Sequence, residues 1–203
     1  TVLTGLCASI LGRESLDGEN FVGIQLLSRV RTAAQQMSML GKGWLGDSRG
    51  TFNRPTAVEL VVAPHYRVFY TGTHTEELFD MISSGRSVYH TYLGSAYCLT
   101  FPRNVRASEL EPIHPDPHTA LESVTVVPSH AIRELVFADN AQYGRVGGMQ
   151  YRRIANRTFE GTINVIYEVN AGSVVFKTVE SAKNDEKPYV ILAIDEKKVV
   201  ALW

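Results

Sequence analysis

Residues with catalytic or metal-binding chemistry are spread along this chain. The sequence contains no HExxH pair, CxxC pair or Walker A loop, and no GxGxxG run follows a predicted strand. His114 and His118 have the four-residue spacing of two metal ligands on a helix, but Pro115 and Pro117 prevent that helix. We therefore predict that both histidines lie in a surface loop.

A polar turn between a predicted strand and a predicted helix is the best candidate for a site. Val68–Tyr70 has the apolar character of a buried strand, and Thr73–Glu76 is typical of a capping box, in which two side chains satisfy free backbone N–H groups. An apolar face at helical spacing then predicts a helix over Thr75–Ser83, which Gly85 ends. The pattern indicates a site but names no chemistry.

A second candidate is a group of arginines around Tyr151, namely Arg145, Arg152, Arg153 and Arg157. Such a group can contact phosphate, but arginines on a solvated face above one aromatic residue are commoner. The 20 basic and 21 acidic residues give a net charge of −1, so the composition offers no general attraction to nucleic acid or to an anionic membrane.

The size and composition are those of one globular domain, or of one domain with a helical appendage. The chain has 203 residues, of which 44% are hydrophobic and 20% charged. Cys7 and Cys98 lie far apart and are predicted to be free thiols. No run approaches the ~20 apolar residues of a membrane helix. Because the chain begins at Thr1, we expect it to be an excised domain.

The order of predicted elements is helices first and strands later, which favours an α+β fold. Residues 1–55 are predicted to be a helical segment, with one helix from Asn20 to Met37, followed by a loop rich in Gly and Arg. Residues 56–203 are predicted to form the main domain. Its predicted strands are Ala57–Ala63, Tyr66–Tyr70, Val88–Phe101 with a break at Gly94, Leu121–Val127, Thr162–Val169, Ser173–Val179, Tyr189–Ile194 and Lys198–Trp203. Asp139–Gly148 is predicted to be a loop, and Asn170–Gly172 and Asp195–Lys197 tight turns.

Residues 57–203 resemble ADP-ribosyltransferase domains. In that family a strand ending in Tyr-His-Gly-Thr or Tyr-Arg-Gly leads into a helix closed by glycine, as Tyr70-Thr-Gly-Thr73 leads here into a helix closed by Gly85. The final strands, with Ser181-Ala182 ahead of Glu186, are similar to the Ser-Ala-x-x-x-Glu-x-Glu loop of the arginine-modifying members. The resemblance implies two antiparallel sheets around a cleft, preceded here by N-terminal helices.

The departures from the family pattern fall on its catalytic positions. Thr71 stands where the family has the Arg or His that holds the nicotinamide nucleotide, and threonine supplies no cation for a pyrophosphate. A rival register puts Arg67 at that position. Pro188 replaces the glutamate that stabilises the oxocarbenium-like transition state. Of the Ser-Thr-Ser strand, one hydroxyl is kept at Ser95 or Thr100.

The resemblance therefore implies a bacterial toxin or type III effector domain that has lost catalysis. Its expected binding residues are Glu186, Tyr70, Thr71, Ser95 and Thr100, because Glu186 matches the glutamate that reads the substrate guanidinium. The implied partner is a host protein or an arginine-containing peptide, with no nucleic acid, no membrane span and no cofactor. The expected location is the host cell, after secretion by the bacterium.

Two other readings stay open. In the first, the chain is an active NAD-dependent mono-ADP-ribosyltransferase whose glutamate is Glu122, because some toxin members have Glu-Val ahead of a Pro-x-x-x-Ile stretch like Pro128–Ile132. In the second, it is a protein-interaction domain unrelated to this family, and its tyrosines serve packing alone.

Overall fold

The described residues form a mostly β structure with two short helices. The structure is a computed structural model that describes residues 2–42, 51–155, 158–180 and 189–203. Its elements are α1 (Val2–Leu11), β1 (Asn20–Leu26), β2 (Thr32–Lys42), β3 (Thr51–Val61), β4 (Tyr66–Gly72), α2 (Thr75–Ser83), β5 (Leu121–Ser123), β6 (Val127–Pro128), a 3-10 turn (Ser129–Ala131), β7 (Ile132–Leu135), β8 (Tyr143–Ala155), β9 (Thr158–Glu168), β10 (Val174–Thr178), β11 (Val190–Ala193) and β12 (Lys198–Leu202). This content is compatible with the α+β class.

These strands are arranged in four sheets. The largest has five strands in the order β11-β12-β5-β10-β7, and a three-stranded sheet has the order β6-β9-β8. β1 pairs with β4 and β2 pairs with β3, each as an antiparallel ribbon. The prediction was of two antiparallel sheets; the described strands form four, and the largest is mixed because β12 and β5 run parallel. The backbone of Val22 in β1 exchanges two hydrogen bonds with Trp203, which joins the β1–β4 ribbon to the end of β12.

The core lies on both faces of the β11–β12 end of the large sheet. Because successive side chains of a strand point to opposite faces, Val199 and Ala201 enter one cluster and Val200 and Leu202 another. The first cluster surrounds Phe176, which is fully buried. The second is covered by partly buried side chains that include Phe21 of β1 and Phe69 of β4. The large sheet is therefore covered on both faces, and it holds the β1–β4 ribbon in place.

A third cluster packs α1 against α2. Its buried members are Cys7, Ile10, Leu11 and Leu78, and Tyr70 lies at its border. The prediction of two free thiols is confirmed, and of the two only Cys7 is buried. Burial raises the pKa of the Cys7 thiol to about 11 against a weaker opposing effect of a backbone hydrogen bond.

We expect iodoacetamide at pH 8 to modify Cys98 at least about 100-fold faster than Cys7, because only the accessible thiolate reacts. The measurement is mass spectrometry of the two cysteine peptides over time in the native protein. In urea both thiols should react at similar rates, which is the internal control. Equal native rates would show that Cys7 is not held in this cluster.

The predicted helix from Asn20 to Met37 is wrong. β1 pairs with β4 over seven residues and β2 pairs with β3 over eleven. The spacing of apolar residues within one segment carries no information about hydrogen-bond partners elsewhere in the chain. Here those partners exist, and the segment forms strands. β3 runs through the predicted domain division after residue 55, and that division stays a prediction.

The prediction of helix α2 over Thr75–Ser83 is confirmed, and its end at glycine is confirmed as well. Gly85 has φ of 67°, and the N–H groups of Gly85 and Arg86 donate to the carbonyls of Ile82 and Met81. The capping box is wrong, since the N-cap is His74 and it makes no side-chain capping bond. The Thr75 hydroxyl instead donates to the Gly72 carbonyl at 2.8 Å.

Three further predictions differ from the structure. In Val88–Phe101 an isolated bridge joins Tyr92 and Leu99 in place of a strand, because Gly94 turns the chain back on itself. β8 begins at Tyr143, inside the predicted loop. The predicted turn at Asn170–Gly172 is present, with the Ala171 N–H donating to the Glu168 carbonyl at 3.2 Å, but it does not close a hairpin, because β9 and β10 belong to different sheets. The turn at Asp195–Lys197 does join a hairpin, between β11 and β12.

The predicted surface loop at His114 and His118 is confirmed. Both side chains are exposed, and the segment around them has no helix. Of the two helices in the described part of the chain, neither is long and apolar enough to cross a membrane.

Candidate functional site

Tyr70 lies at the junction of β4, α1 and α2. Its hydroxyl donates to Oδ1 of Asn20 and accepts from the backbone N–H of His74 at 3.3 Å. Burial is the largest cause of the raised pKa of Tyr70. The predicted binding role of Tyr70 therefore competes with a structural one, because its polar atom is already engaged.

His74, which the sequence analysis placed inside a capping box, is the centre of a charged cluster. The side chain is 7% exposed, with Nε2 2.8 Å from Oδ1 of Asp17 and Nδ1 3.6 Å from Oε2 of Glu77. Arg13 bridges the same two carboxylates, at 3.0 Å from Glu77 and 3.7 Å from Asp17. The pKa of Asp17 is lowered, first by its own backbone N–H and then by the His74 hydrogen bond.

This cluster tethers the segment after α1 to the start of α2. Both imidazole nitrogens face carboxylates, so His74 presents no free nitrogen to a substrate. The sequence gives one signal for this cluster, which is a histidine just before a helix whose first turn is acidic. It gives no signal for the partner Asp17, which is 57 residues away. Only the fold brings these groups together.

The turn that the resemblance assigns to nucleotide binding is covered by residues 18–20. The Thr73 N–H donates to the Glu19 carbonyl at 3.2 Å. Gly72 has φ of 151°, and a Cβ there would collide with the Glu19 carbonyl and with Asn20. Thr71 is half-buried opposite Phe21 in the β1–β4 ribbon. The position of the missing Arg or His is therefore part of a strand pair, and the two residues after it are covered by this chain's own backbone.

Ser95 and Thr100 belong to a small hairpin elsewhere on the surface. The Thr100 N–H donates to the Thr91 carbonyl at 3.0 Å, and the Cys98 N–H donates to the Ser95 carbonyl at 2.8 Å. Among the described residues, no hydrogen bond links this hairpin to Tyr70 or to Glu122. Of the predicted site residues that the structure describes, Ser95 and Thr100 therefore form a group of their own by hydrogen bonding.

Glu122, on the central strand of the large sheet, lines a shallow pocket of about 340 Å³ beside the β11–β12 turn. The parallel pairing of β5 with β12 sets Glu122 opposite Lys198, and the Glu122 N–H donates to the Lys197 carbonyl at 3.1 Å. The other lining residues come from the β11–β12 turn, namely Asp195, Glu196, Lys197 and Lys198.

The Asp195 side chain stabilises the turn that lines this pocket. Its Oδ1 accepts from the N–H groups of Lys197 at 2.9 Å and Lys198 at 2.8 Å. These two backbone bonds, that of Lys197 first, lower the pKa of Asp195. The turn is therefore stabilised by the carboxylate of one of its own residues, Asp195.

The Glu122 carboxylate is half-buried and makes no hydrogen bond or ion pair with any described residue. The pocket holds three carboxylates against two ammonium groups, so its net charge is negative. A carboxylate with both oxygens free accepts two parallel N–H bonds from one guanidinium. The arrangement fits a cationic side chain.

Comparisons with known proteins identify no relative. No protein-family model, curated protein or solved structure matches this chain. The resemblance to ADP-ribosyltransferases accordingly stays a prediction.

Two predicted site positions, Glu186 and Pro188, lie outside the described residues, as do Ser181 and Ala182. Within the described ranges, no group of three or more His, Cys, Asp or Glu side chains has the geometry to hold a metal ion.

Proposed function

We propose that this chain is a protein-binding domain without transferase activity, and that it binds an arginine-containing segment of a partner protein. The observation that carries this proposal is the half-buried carboxylate of Glu122, which pairs with no residue in the described part of the chain and lies in a pocket of negative net charge. The wider setting, an ADP-ribosyltransferase-like effector or toxin domain that meets a host protein inside a host cell, rests on the sequence resemblance alone.

Arginine is the cation that suits this pocket best. Its guanidinium is planar and presents donors in a fork that matches one carboxylate, and it is more weakly hydrated than an ammonium ion. Glu122 lies on a short strand in the sheet, whereas Asp195 and Glu196 lie on the adjoining turn. Glu122 would accept the paired N–H groups, and the exposed carboxylate of Glu196 would add a weaker, salt-screened attraction.

Two features support the absence of transferase activity. The β4–α2 turn, where the family grips its nucleotide, is covered by residues 18–20 and closed by the Thr73–Glu19 hydrogen bond. In addition, Thr71 offers no charge to a pyrophosphate. A site that lacks these contacts would forgo several kcal/mol of transition-state stabilisation, on the order of a thousandfold in rate or more.

The test is the affinity of a short arginine-containing peptide, with each variant measured by calorimetry at low salt. We expect Glu122→Gln to weaken binding about fivefold to tenfold, because the bidentate charge-assisted pair is lost. A peptide with citrulline in place of arginine should bind as poorly to the wild type, since citrulline keeps the shape and loses the charge. Glu160→Gln, on the exposed part of β9, is the matched control.

Unchanged affinity in Glu122→Gln would overturn the arginine site. The rival reading, an active transferase that uses Glu122, makes a different prediction. It requires NAD binding at millimolar concentration and transfer of label from NAD that Glu122→Ala abolishes. Observation of both would replace the binding proposal with the enzymatic one.

A further inference from the structure

A small hairpin between residues 91 and 100 presents large side chains to solvent. Three residue pairs face each other across it, namely Thr91 with Thr100, Tyr92 with Leu99, and Leu93 with Cys98. The Thr100 N–H donates to the Thr91 carbonyl at 3.0 Å, and the Leu93 N–H donates to the Cys98 carbonyl at 3.0 Å. Adjacent pairs point to opposite faces. The inner face carries Thr91, which is 3% exposed, and the outer face carries Tyr92 and Leu99.

This distribution is the reverse of an ordinary surface hairpin, in which the outer face is polar. Tyr92 is 47% and Leu99 68% exposed, and Tyr97 at the tip is 52% exposed. Val88 and Tyr89, which precede the hairpin, are also exposed. We refer to these five side chains, Val88, Tyr89, Tyr92, Tyr97 and Leu99, as the tyrosine platform.

The platform is anchored to the helical part of the chain. The N–H groups of Val88 and Tyr89 donate to the carbonyls of Ile10 and Ser9, at 3.0 and 3.2 Å, and so satisfy the end of α1. The Val88 side chain also lies against Gly12, where a Cβ would collide with it. A fixed base lowers the entropic cost of binding, because the platform side chains are already positioned.

The charged residues near the platform in sequence have one sign. No Asp or Glu occurs between Asp80 and Glu109, whereas Arg86, Arg103 and Arg106 do, all exposed. Arg103 follows Thr100 by three residues, so its Cα lies within about 11 Å of the hairpin. This local excess of positive charge stands out in a chain whose net charge is −1.

We propose that the tyrosine platform is a docking surface for an acidic segment of a partner protein, one that carries carboxylates beside aliphatic or aromatic anchors. The three exposed arginines that flank the platform in sequence favour an anionic partner. The residue types favour a protein over a nucleic acid or a bilayer, since tyrosine and arginine are enriched in protein interfaces and lysine is depleted there, and residues 81–108 contain no lysine. Val88 and Leu99 add aliphatic surface that does not serve base stacking.

The experiment uses a displayed library of random 12-residue peptides, selected on the full chain. We expect the enriched peptides to contain Asp and Glu next to Leu, Ile or Phe. Tyr92→Ser with Leu99→Ser should weaken their binding about tenfold or more, as for side chains at the centre of an interface. Arg103→Gln with Arg106→Gln should weaken it less and should reduce its salt dependence.

The matched control is Leu40→Ser, which removes another exposed leucine, 73% exposed on β2. It should leave peptide binding and the unfolding midpoint unchanged, and the platform variant should also keep the wild-type midpoint. Glu122→Gln should not affect these peptides, which separates this surface from the arginine site. Enrichment of basic peptides, equal selection on the platform variant, or platform-dependent binding of oligouridylate or phosphatidylserine vesicles without acidic peptides would overturn the proposal.

Discussion

Replacement of Glu168 by glutamine is expected to lower the free energy of unfolding by about 2–4 kcal/mol, because this buried carboxylate accepts four hydrogen bonds. Oε1 accepts from the Gln142 N–H at 3.0 Å and from Nδ2 of Asn170 at 3.2 Å. Oε2 accepts from the N–H groups of Asn170 at 2.8 Å and Gly172 at 2.7 Å. A glutamine has one acceptor oxygen, and its NH₂ group would replace the other. The two N–H donors at that position would then face a donor and lose their acceptor.

The loss should be measured by urea unfolding at pH 7. The matched control is Glu160→Gln, an exposed glutamate on the same strand, whose free energy of unfolding should stay within about 0.5 kcal/mol of the wild type. If both variants unfold alike, the carboxylate does not hold the chain between β9 and β10.

The same carboxylate makes stability depend on pH. Desolvation, the largest single effect, raises the pKa of Glu168, but the hydrogen bonds from Gln142, Gly172 and Asn170 together outweigh it and lower the pKa. A lowered native pKa stabilises the fold above the unfolded-state value of about 4.3 and ceases to do so as pH falls through the native value. The stability gap between the wild type and Glu168→Gln should therefore narrow below about pH 4.

Replacement of Gly72 by alanine is also expected to destabilise the protein, by about 2–4 kcal/mol. One part is backbone strain, because φ is 151° and an L side chain rarely adopts it. The other part is a collision of the new Cβ with the Glu19 carbonyl and Asn20, which are backbone atoms that cannot rotate away. The displaced segment would take with it the Tyr70–Asn20 and His74–Asp17 hydrogen bonds.

Gly161→Ala separates these two causes. Gly161 also has positive φ, 69°, but no atom of the described residues lies within 4 Å of the Cβ position, so we expect only strain of about 1 kcal/mol. Urea unfolding of both variants gives the comparison. A Gly72→Ala loss no larger than that of Gly161→Ala would show that residues 18–20 do not press on the β4–α2 turn.

The sequence predicted elements whose signals are local. Helix α2 has its predicted bounds because the apolar spacing and the following Gly85 lie within one short segment. β9 to β12 are close to their predicted ranges, since runs of β-branched residues bounded by turn residues indicate strands without knowledge of their partners. The free state of the two thiols followed from their number and separation.

The candidate site was predictable only in part. Glu122 was named from the sequence, but its pocket exists because β12 lies parallel to β5 and brings the β11–β12 turn beside it. His74 was passed over because its partner Asp17 belongs to a distant segment. The sequence predicts a strand at the tyrosine platform. The turn at Gly94 folds that segment into a hairpin, and its exposed face follows from this fold.

By itself, then, the sequence determined where most of the C-terminal strands and helix α2 lie. The carboxylate that it named for binding was Glu186, and Glu122 entered only as an alternative catalytic glutamate. Only the tertiary structure decided that Asn20–Leu26 is a strand paired with Tyr66–Gly72, that residues 18–20 cover the β4–α2 turn, and that Glu122 faces a pocket. The physical reason is that a helix satisfies its backbone hydrogen bonds within one segment. A strand satisfies them with a partner distant in sequence, and no local pattern names that partner.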